Sequence, residues 1–199
     1  MKKIETIEAL EALYEPAVPG SLKKVARHIT PLYRQWIAAS KFCVLSTIGP
    51  EGTDASPRGD DGPVVLELDE KTLALPDWRG NNRMDSLRNI VRDGRTSLMF
   101  MVPGCNNVVR INGTAILTDD PAMTNRFEQA GKHPKTVILF SVDEIYFQCA
   151  KAILRSRLWT ETDRPVVPTA GQFLKELDAL FDGDSYDAGY AEYAKGRMW

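Results

Sequence analysis

Apolar side chains recur at helical spacing in the first part of the chain. Between residues 4 and 13, isoleucines and leucines lie three positions apart, as on one side of a helix. Further along, Thr30 followed by Pro31 is typical of a helix start, because proline fits the first turn and threonine can cap it. The pattern therefore predicts helices over residues 1–40, the last of which runs through Ala39.

Beyond residue 41 the apolar positions follow strand-like patterns. Residues 42–48 end at a Gly-Pro-Glu-Gly turn, so a hairpin is expected, with a returning arm over 53–58 that Pro57 and Gly59 break. Apolar and β-branched runs predict the remaining strands at 63–68, 72–75, 97–102, 108–118 and 136–148. Short helices are expected between them, over 84–92 and from Pro121. About seven strands and few long helices predict a mainly β, barrel-like fold with peripheral helices.

After Trp159 the chain becomes rich in proline and then shows a helical pattern near 172–180. Residues 183–199 are polar and contain glycines and tyrosines, so we expect them to be loosely packed or to depend on a partner. The chain is thus predicted to form one domain, made of N-terminal helices (1–40), a barrel (41–159) and a C-terminal helical extension (160–199).

Composition narrows the possible functions. The chain has 199 residues, of which 43% are hydrophobic and 26% charged, as in an ordinary globular domain. A formal net charge of -2 provides no basic field for nucleic acid or an anionic membrane. The apolar runs are too short to span a bilayer, and the first residues do not resemble a secretory signal. We therefore expect no nucleic-acid or membrane partner.

The three cysteines indicate the cellular compartment of the protein. Cys43, Cys105 and Cys149 are odd in number and far apart, and they lack the spacing of metal ligands. Reduced thiols in a cytoplasmic protein without a metal site are expected. Cys149 is not expected to be catalytic, because neither His28 nor His133 lies in a recognisable motif.

Residues 75–89 contain the parts of an anion site. Arg79 and Arg83 can supply planar charged donors to a phosphate, and Gly80 permits close backbone approach. The helix predicted to begin near Met84 would point free N–H groups at the same place. The alternative is a solvated loop whose arginines pair with Asp77 and Asp85.

Two further stretches could bind a flat ligand. Ser56-Pro57-Arg58-Gly59 lies where a strand ends, and the proline leaves backbone groups free while the glycine leaves room. The alternative is a plain edge-strand end. Residues 151–159 place three cations and Trp159 after the longest strand, either closing an anionic pocket or forming a surface stripe.

The strand predicted over 108–118 also carries polar groups. Its alternation places Arg110 and Asn112 on one side and Asn107, Val109 and Ile111 on the other. An exposed half of a sheet explains this pattern without any ligand.

Taken in order, these segments resemble the pyridoxamine 5′-phosphate oxidase-like flavoproteins, specifically a branch of FMN-binding split barrels of uncertain substrate. The resemblance runs from about Pro31 to Trp159. Five blocks carry it, at residues 42–47, 55–60, 77–90, 109–113 and 149–156.

The resemblance implies a homodimer of split barrels with FMN at the subunit interface. One subunit would supply the strand Ser56-Pro57-Arg58-Gly59 beside the isoalloxazine and Leu75 and Pro76 along the ring. Arg79, Asn82 and Arg83 would lie at the phosphate, with Asn82 and Arg83 preferred. The second subunit would contribute residues near the ring or the substrate, namely Asn107, Arg110, Lys151, Arg155 and Trp159.

One departure from the family bears on the reaction. Pyridoxamine phosphate oxidases proper end in a short tryptophan, arginine and histidine signature that binds substrate, and nothing like it follows Trp159. We therefore predict an FMN-dependent oxidoreductase acting on an unidentified small molecule, without assigning a catalytic side chain. The alternatives are a protein that binds flavin or haem for sensing or storage, and an empty barrel that serves as an interaction module.

Overall fold

A computed structural model describes residues 1–161 and 166–199 of the protein, so part of the proline-rich stretch predicted after Trp159 lies outside the described residues. The first helices are α1 (Ile7–Glu11), α2 (Pro19–Lys23) and α3 (Pro31–Ala39). The next elements are β1 (Phe42–Gly49), β2 (Gly52–Gly59), β3 (Leu66–Asp69), β4 (Thr72–Asp77), α4 (Asp85–Arg92), β5 (Arg95–Met101) and β6 (Val108–Thr118). They are followed by α5 (Pro121–Thr124), β7 (Thr136–Gln148), α6 (Lys151–Ser156), α7 (Ala170–Leu177) and α8 (Gly183–Lys195).

The seven strands form one sheet in the order β2-β1-β5-β6-β7-β4-β3, and each neighbouring pair is antiparallel. With helices at its periphery, this is the mainly β split barrel that the sequence predicts. One face of the sheet surrounds a core whose largest fully buried side chains include Phe100 and Phe140. Within the described ranges, none of the helices is both long and apolar enough to cross a membrane.

Alternation along β1 decides which side chains enter the core. Cys43, Leu45 and Thr47 are buried, whereas the residues between them lie on the outer face of the sheet. The hairpin to β2 is confirmed, but the expectation that Pro57 breaks its returning arm is wrong. Pro57 pairs with Val44 inside β2. It is tolerated because β2 is an edge strand, where a missing N–H costs no ladder bond.

Helix α4 packs against β1, and a pair of buried polar side chains connects the two elements. Its Asn89 side chain is buried and donates a hydrogen bond to Thr47 Oγ1 at 3.1 Å. A Cβ at Gly49 would lie 2.2 Å from Asn89 Oδ1, so any other residue there would force the Asn89 side chain to shift. The helix ends before Gly94, whose φ of 81° lies in the left-handed region that a C-terminal stop requires.

The long strands β6 and β7 join the two parts of the sheet through an irregular register. Asn112 pairs with Glu144 and Gly113 with Val142, so Asp143 is an extra residue in β7. A Cβ at Gly113 would lie 1.9 Å from the Ser141 carbonyl oxygen. The bulge therefore depends on a glycine at this position.

The C-terminal residues differ from expectation. The helix predicted at 172–180 is α7, which already ends at Leu177, and the stretch expected to be loosely packed forms α8. The two helices pack closely because Gly171 and Gly183 lack side chains: a Cβ on Gly171 would lie 2.1 Å from the Gly183 carbonyl oxygen. A backbone contact between glycines is not visible in an apolar pattern, so the pairing of α7 with α8 could not be predicted, while most of residues 184–199 are exposed.

Candidate functional site

The loop between β4 and α4, residues 77–84, is the predicted anion loop. Leu75 and Pro76 precede it as buried residues of β4, and Asp77 is the last residue of the strand. From Arg79 onward the loop is exposed, including Gly80, Asn82 and Arg83. The φ angles of Asn82 (61°) and Met84 (38°) are positive, which is uncommon for residues other than glycine.

Helix α4 begins at this loop without a side-chain cap. Met84 occupies the N-cap position and makes no capping hydrogen bond. The first backbone N–H groups of a helix lack intrahelical partners and attract anions. The amide of Arg83 donates to Asn81 Oδ1 at 3.0 Å, which folds the loop back on itself just before the helix.

The alternative interpretation, a solvated loop whose arginines pair with Asp77 and Asp85, holds for Asp85 only. Arg83 Nε donates to Asp85 Oδ2 at 2.8 Å, although four fifths of the Arg83 side chain is exposed. Asp77 is paired with Arg58, however, and not with Arg79. Exposed ion pairs contribute little free energy, so Arg83 can exchange Asp85 for another anion at small cost.

Arg58 joins strand β2 to the start of the anion loop. Its Nη1 donates to Asp77 Oδ1, and both side chains are mostly buried. Its Nε is buried, and among the described residues no acceptor lies within hydrogen-bond distance of it. A buried donor without an acceptor costs about 1–3 kcal/mol, so a ligand that supplied an acceptor here would be favoured.

The other residues of the Ser56–Gly59 segment lie along the same edge strand. Ser56 pairs with Leu45 and Arg58 with Cys43, whose side chains are in the core, so both are on the core face. Pro57 is therefore on the outer face. The structure brings this segment to the anion loop through the contact between Arg58 and Asp77.

The residues expected to act from a second subunit lie elsewhere in the chain. The Asn107 side-chain amide donates to the Gln148 carbonyl at 3.0 Å, and the Arg110 guanidinium lies 5.5 Å from the centre of the Tyr146 ring. Trp159 Nε1 donates to the Cys105 carbonyl at 2.8 Å, while Lys151 and Arg155 are exposed on α6. These five residues surround the start of β6 and the end of β7.

The strand register gives the separation of the two sets. Pro57 pairs with Val44, Val44 with Met99, and Met99 with Arg110, so one row crosses the outer face of the sheet. Three steps of about 4.8 Å place the Cα atoms of Pro57 and Arg110 roughly 14 Å apart. Within one chain, Arg110 is therefore separated by this distance from the Ser56–Gly59 segment.

Five residues that were not among the predicted site residues make contacts at the base of the anion loop. We call them the Trp78 cluster, and they are Asp60, Trp78, Gln129, Lys132 and Trp199. They come from four separate parts of the chain. No local pattern connects them, although Asp60 and Trp78 lie within two of the blocks that carry the family resemblance.

The ionisable groups near the core show little that would support acid or base chemistry. Burial raises the pKa of the Cys43 thiol to about 12, so this cysteine remains protonated. Cys105 and Cys149 are also free thiols. No group of three metal-ligating side chains occurs in the parts of the chain that the structure describes.

The fold and the loop together define a split barrel with an exposed, arginine-containing loop between β4 and α4. Residues 29–149 match the family model described as pyridoxamine 5′-phosphate oxidase. This match covers more than half of the chain, which therefore belongs to the pyridoxamine 5′-phosphate oxidase-like family. No curated protein matches the sequence at a significant level.

Solved structures show the same fold at low sequence identity. A variant of HupZ from Group A Streptococcus is 18% identical with a TM-score of 0.50, and the match covers 60% of this chain and 99% of that one. A Lactobacillus delbrueckii protein described as a candidate pyridoxamine 5′-phosphate oxidase is 16% identical with a TM-score of 0.49, covering 61% and 95%. At this level of identity these likenesses concern the fold alone.

Proposed function

We propose that the protein is an FMN-binding flavoprotein that acts as an oxidoreductase on a small molecule. One observation carries the proposal: the buried, unpartnered Arg58 Nε lies beside an exposed arginine loop that leads into an uncapped helix. Such a place favours a ligand that combines acceptor atoms with an anionic group. FMN has both, in the edge of its ring system and in its phosphate.

In this proposal each part of the site has a distinct task. Arg83 and the first N–H groups of α4 hold the phosphate, while Arg58 donates to an acceptor of the ligand. Leu75 and Pro76 provide an apolar wall. The redox chemistry would belong to the flavin, and the protein would supply orientation and the electrostatic surroundings of the ring.

We also propose that two copies of the chain form the complete site. In support, Arg110 lies three strands across the sheet from Pro57, and in this proposal it meets the FMN of another chain. The outer face between the two sets carries partly exposed apolar side chains, including Phe42, which is 37% exposed. A second copy would cover this face. A cytoplasmic location, indicated by the free thiols, belongs to the same proposal.

The phosphate contact can be tested by replacing Arg83. We expect Arg83→Ala to weaken FMN binding by about 1.5–3 kcal/mol, the range for hydrogen bonds to charged groups. Arg88→Ala removes an exposed arginine in the next turn of α4 and should leave the affinity unchanged. Fluorescence titration of the apoprotein with FMN measures both dissociation constants and the number of flavins per chain.

The same preparation tests the wider proposal. A yellow protein with one FMN per chain and two chains per particle is expected, and reduced nicotinamide or deazaflavin should bleach it. A colourless protein that cannot be reconstituted with FMN would contradict flavin binding. A yellow protein that no donor reduces would favour a binding or sensing role over catalysis.

A further inference from the structure

Trp199, which follows the end of α8 at Lys195, contacts the anion loop through Trp78. The indole rings of Trp78 and Trp199 meet edge to face, with centroids 5.3 Å apart and planes at 78°. This is a favourable geometry for an aromatic pair. In the chain, Trp78 lies between Asp77 and Arg79, and Asp77 pairs with Arg58. The contact between Trp78 and Trp199 is therefore made at the base of the anion loop.

Other members of the cluster hold Trp78 from the opposite side. Trp78 Nε1 donates to Asp60 Oδ2 at 2.7 Å, and the Gln129 side-chain amide donates to Asp60 Oδ1 at 2.8 Å. The single carboxylate of Asp60 therefore ties the end of β2 to the loop and to the turn that contains Gln129.

Trp199 is held by the same turn. Gln129 and Lys132 exchange two backbone hydrogen bonds of 3.0 Å, and Lys132 Nζ donates to the Trp199 carbonyl oxygen at 3.1 Å. The contacts thus run from Asp60 to Trp78, on to Trp199 and Lys132, and back through Gln129. They form a closed ring around the base of the anion loop.

The anion loop needs such support because of its own conformation. Asn82 and Met84 have positive φ angles, which cost free energy and persist only where the surroundings hold the backbone. Residues 79–84 of the loop are exposed and bury little apolar surface that could hold them. The conformation is therefore set at the two ends of the loop, by α4 at one and by Arg58 and the Trp78 cluster at the other.

We propose that Trp199 is a positioning residue for the anion loop and so strengthens the binding of a phosphorylated flavin over that of its dephosphorylated form. This inference rests on the proposed function, since it assigns a support to the same site. Trp199 acts through Trp78 and need not touch the ligand. The segment after α8 thereby becomes part of the support of the site, although the family match ends at residue 149.

The test compares FMN with riboflavin, which lacks the phosphate. We expect Trp199→Ala to weaken FMN binding about two- to tenfold, the range that an aromatic pair supports, and to leave riboflavin binding unchanged. Trp199→Phe keeps an aromatic ring and should restore most of the difference. Tyr190→Ala, which removes an exposed aromatic ring from α8 outside the cluster, is the matched control.

Hydrogen exchange of the flavin-free protein provides a second measurement. Trp199→Ala should speed exchange in residues 78–84, and Tyr190→Ala should not. Equal losses of FMN and riboflavin affinity, or unchanged loop exchange, would overturn the inference. If the wild type binds neither flavin, the proposed function fails, and the exchange data alone decide whether Trp199 holds the loop.

Discussion

The barrel and the C-terminal helical pair, α7 with α8, are stabilised in different ways. The barrel buries large apolar side chains completely, among them Phe100 and Phe140. In the helical pair the buried residues are Gly171 and Gly183, while Phe173, Leu177 and Leu180 stay largely exposed. The barrel therefore gains its stability from apolar area, whereas the pair depends on a few close contacts.

The two regions should therefore be sensitive to different kinds of substitution. Apolar burial is spread over many side chains, so its loss at one position costs free energy in proportion to the cavity left behind. Close contacts are concentrated at single atoms, such as the hydrogen bond from the Gly171 amide to Asp187 at 2.8 Å. The helical pair should therefore open separately from the barrel.

The largest effect is expected in the barrel core. Phe140→Ala removes a fully buried ring in the long strand β7 and should lower the free energy of unfolding by about 3–5 kcal/mol. Ile116→Ala, on the neighbouring strand, truncates a side chain that is 64% exposed, and its effect should stay within about 0.5 kcal/mol. Chemical denaturation measures both, and similar losses would show that the barrel does not depend on its core in this way.

An intermediate effect is expected at the contact between the helices. The Cβ of Gly171→Ala would meet the Gly183 carbonyl oxygen at 2.1 Å, so α7 and α8 must separate. The free energy of local opening should fall by about 1–3 kcal/mol, with barrel stability nearly unchanged. Gly189→Ala provides the control, because nothing lies within 4 Å of that Cβ. Hydrogen exchange in residues 170–195 distinguishes the two, and coupled unfolding of the barrel would contradict the comparison.

The smallest effect concerns the cap of α8. The pKa of Asp182 lies below its ordinary value of 3.8, chiefly because the Ser185 side chain donates a hydrogen bond to its carboxylate. A lowered pKa means that the stabilisation is present above the ordinary value and is lost as the pH falls through the lowered one. The amide signals at the start of α8 should therefore hold as the pH falls to 3.8 and shift only below it, as Asp182 is protonated. In Asp182→Asn this shift in strong acid should be absent, and its persistence would assign it to another group.

Strand patterns and turns predicted most of the barrel. The bounds of β6 and β7 agree with expectation because both strands carry long β-branched and aromatic runs. The continuation of β2 through Pro57 could not be predicted, because it depends on the strand lying at a sheet edge. Edge position is a property of the assembled sheet and leaves no mark on a short segment.

The candidate site, like the barrel, could be predicted from the sequence only in its local features. The arginine loop and the start of α4 are local features, so residues 79–84 could be marked from residue types and spacing. The partner of Asp77 was not predictable, since Arg58 reaches it from another strand. The roles assigned to Asn107, Arg110, Lys151, Arg155 and Trp159 remain predictions that depend on a second copy.

By itself the sequence determined the order of the strands along the chain and the family, and it predicted an anion loop, because each is encoded in neighbouring residues. Only the tertiary structure decided that Trp199 packs against Trp78 and that Arg58 has a buried nitrogen without a hydrogen-bond partner among the described residues. Contacts of this kind depend on where distant segments meet. Side-chain spacing encodes local geometry, whereas the meeting of distant segments is set by the packing of the whole sheet and its helices.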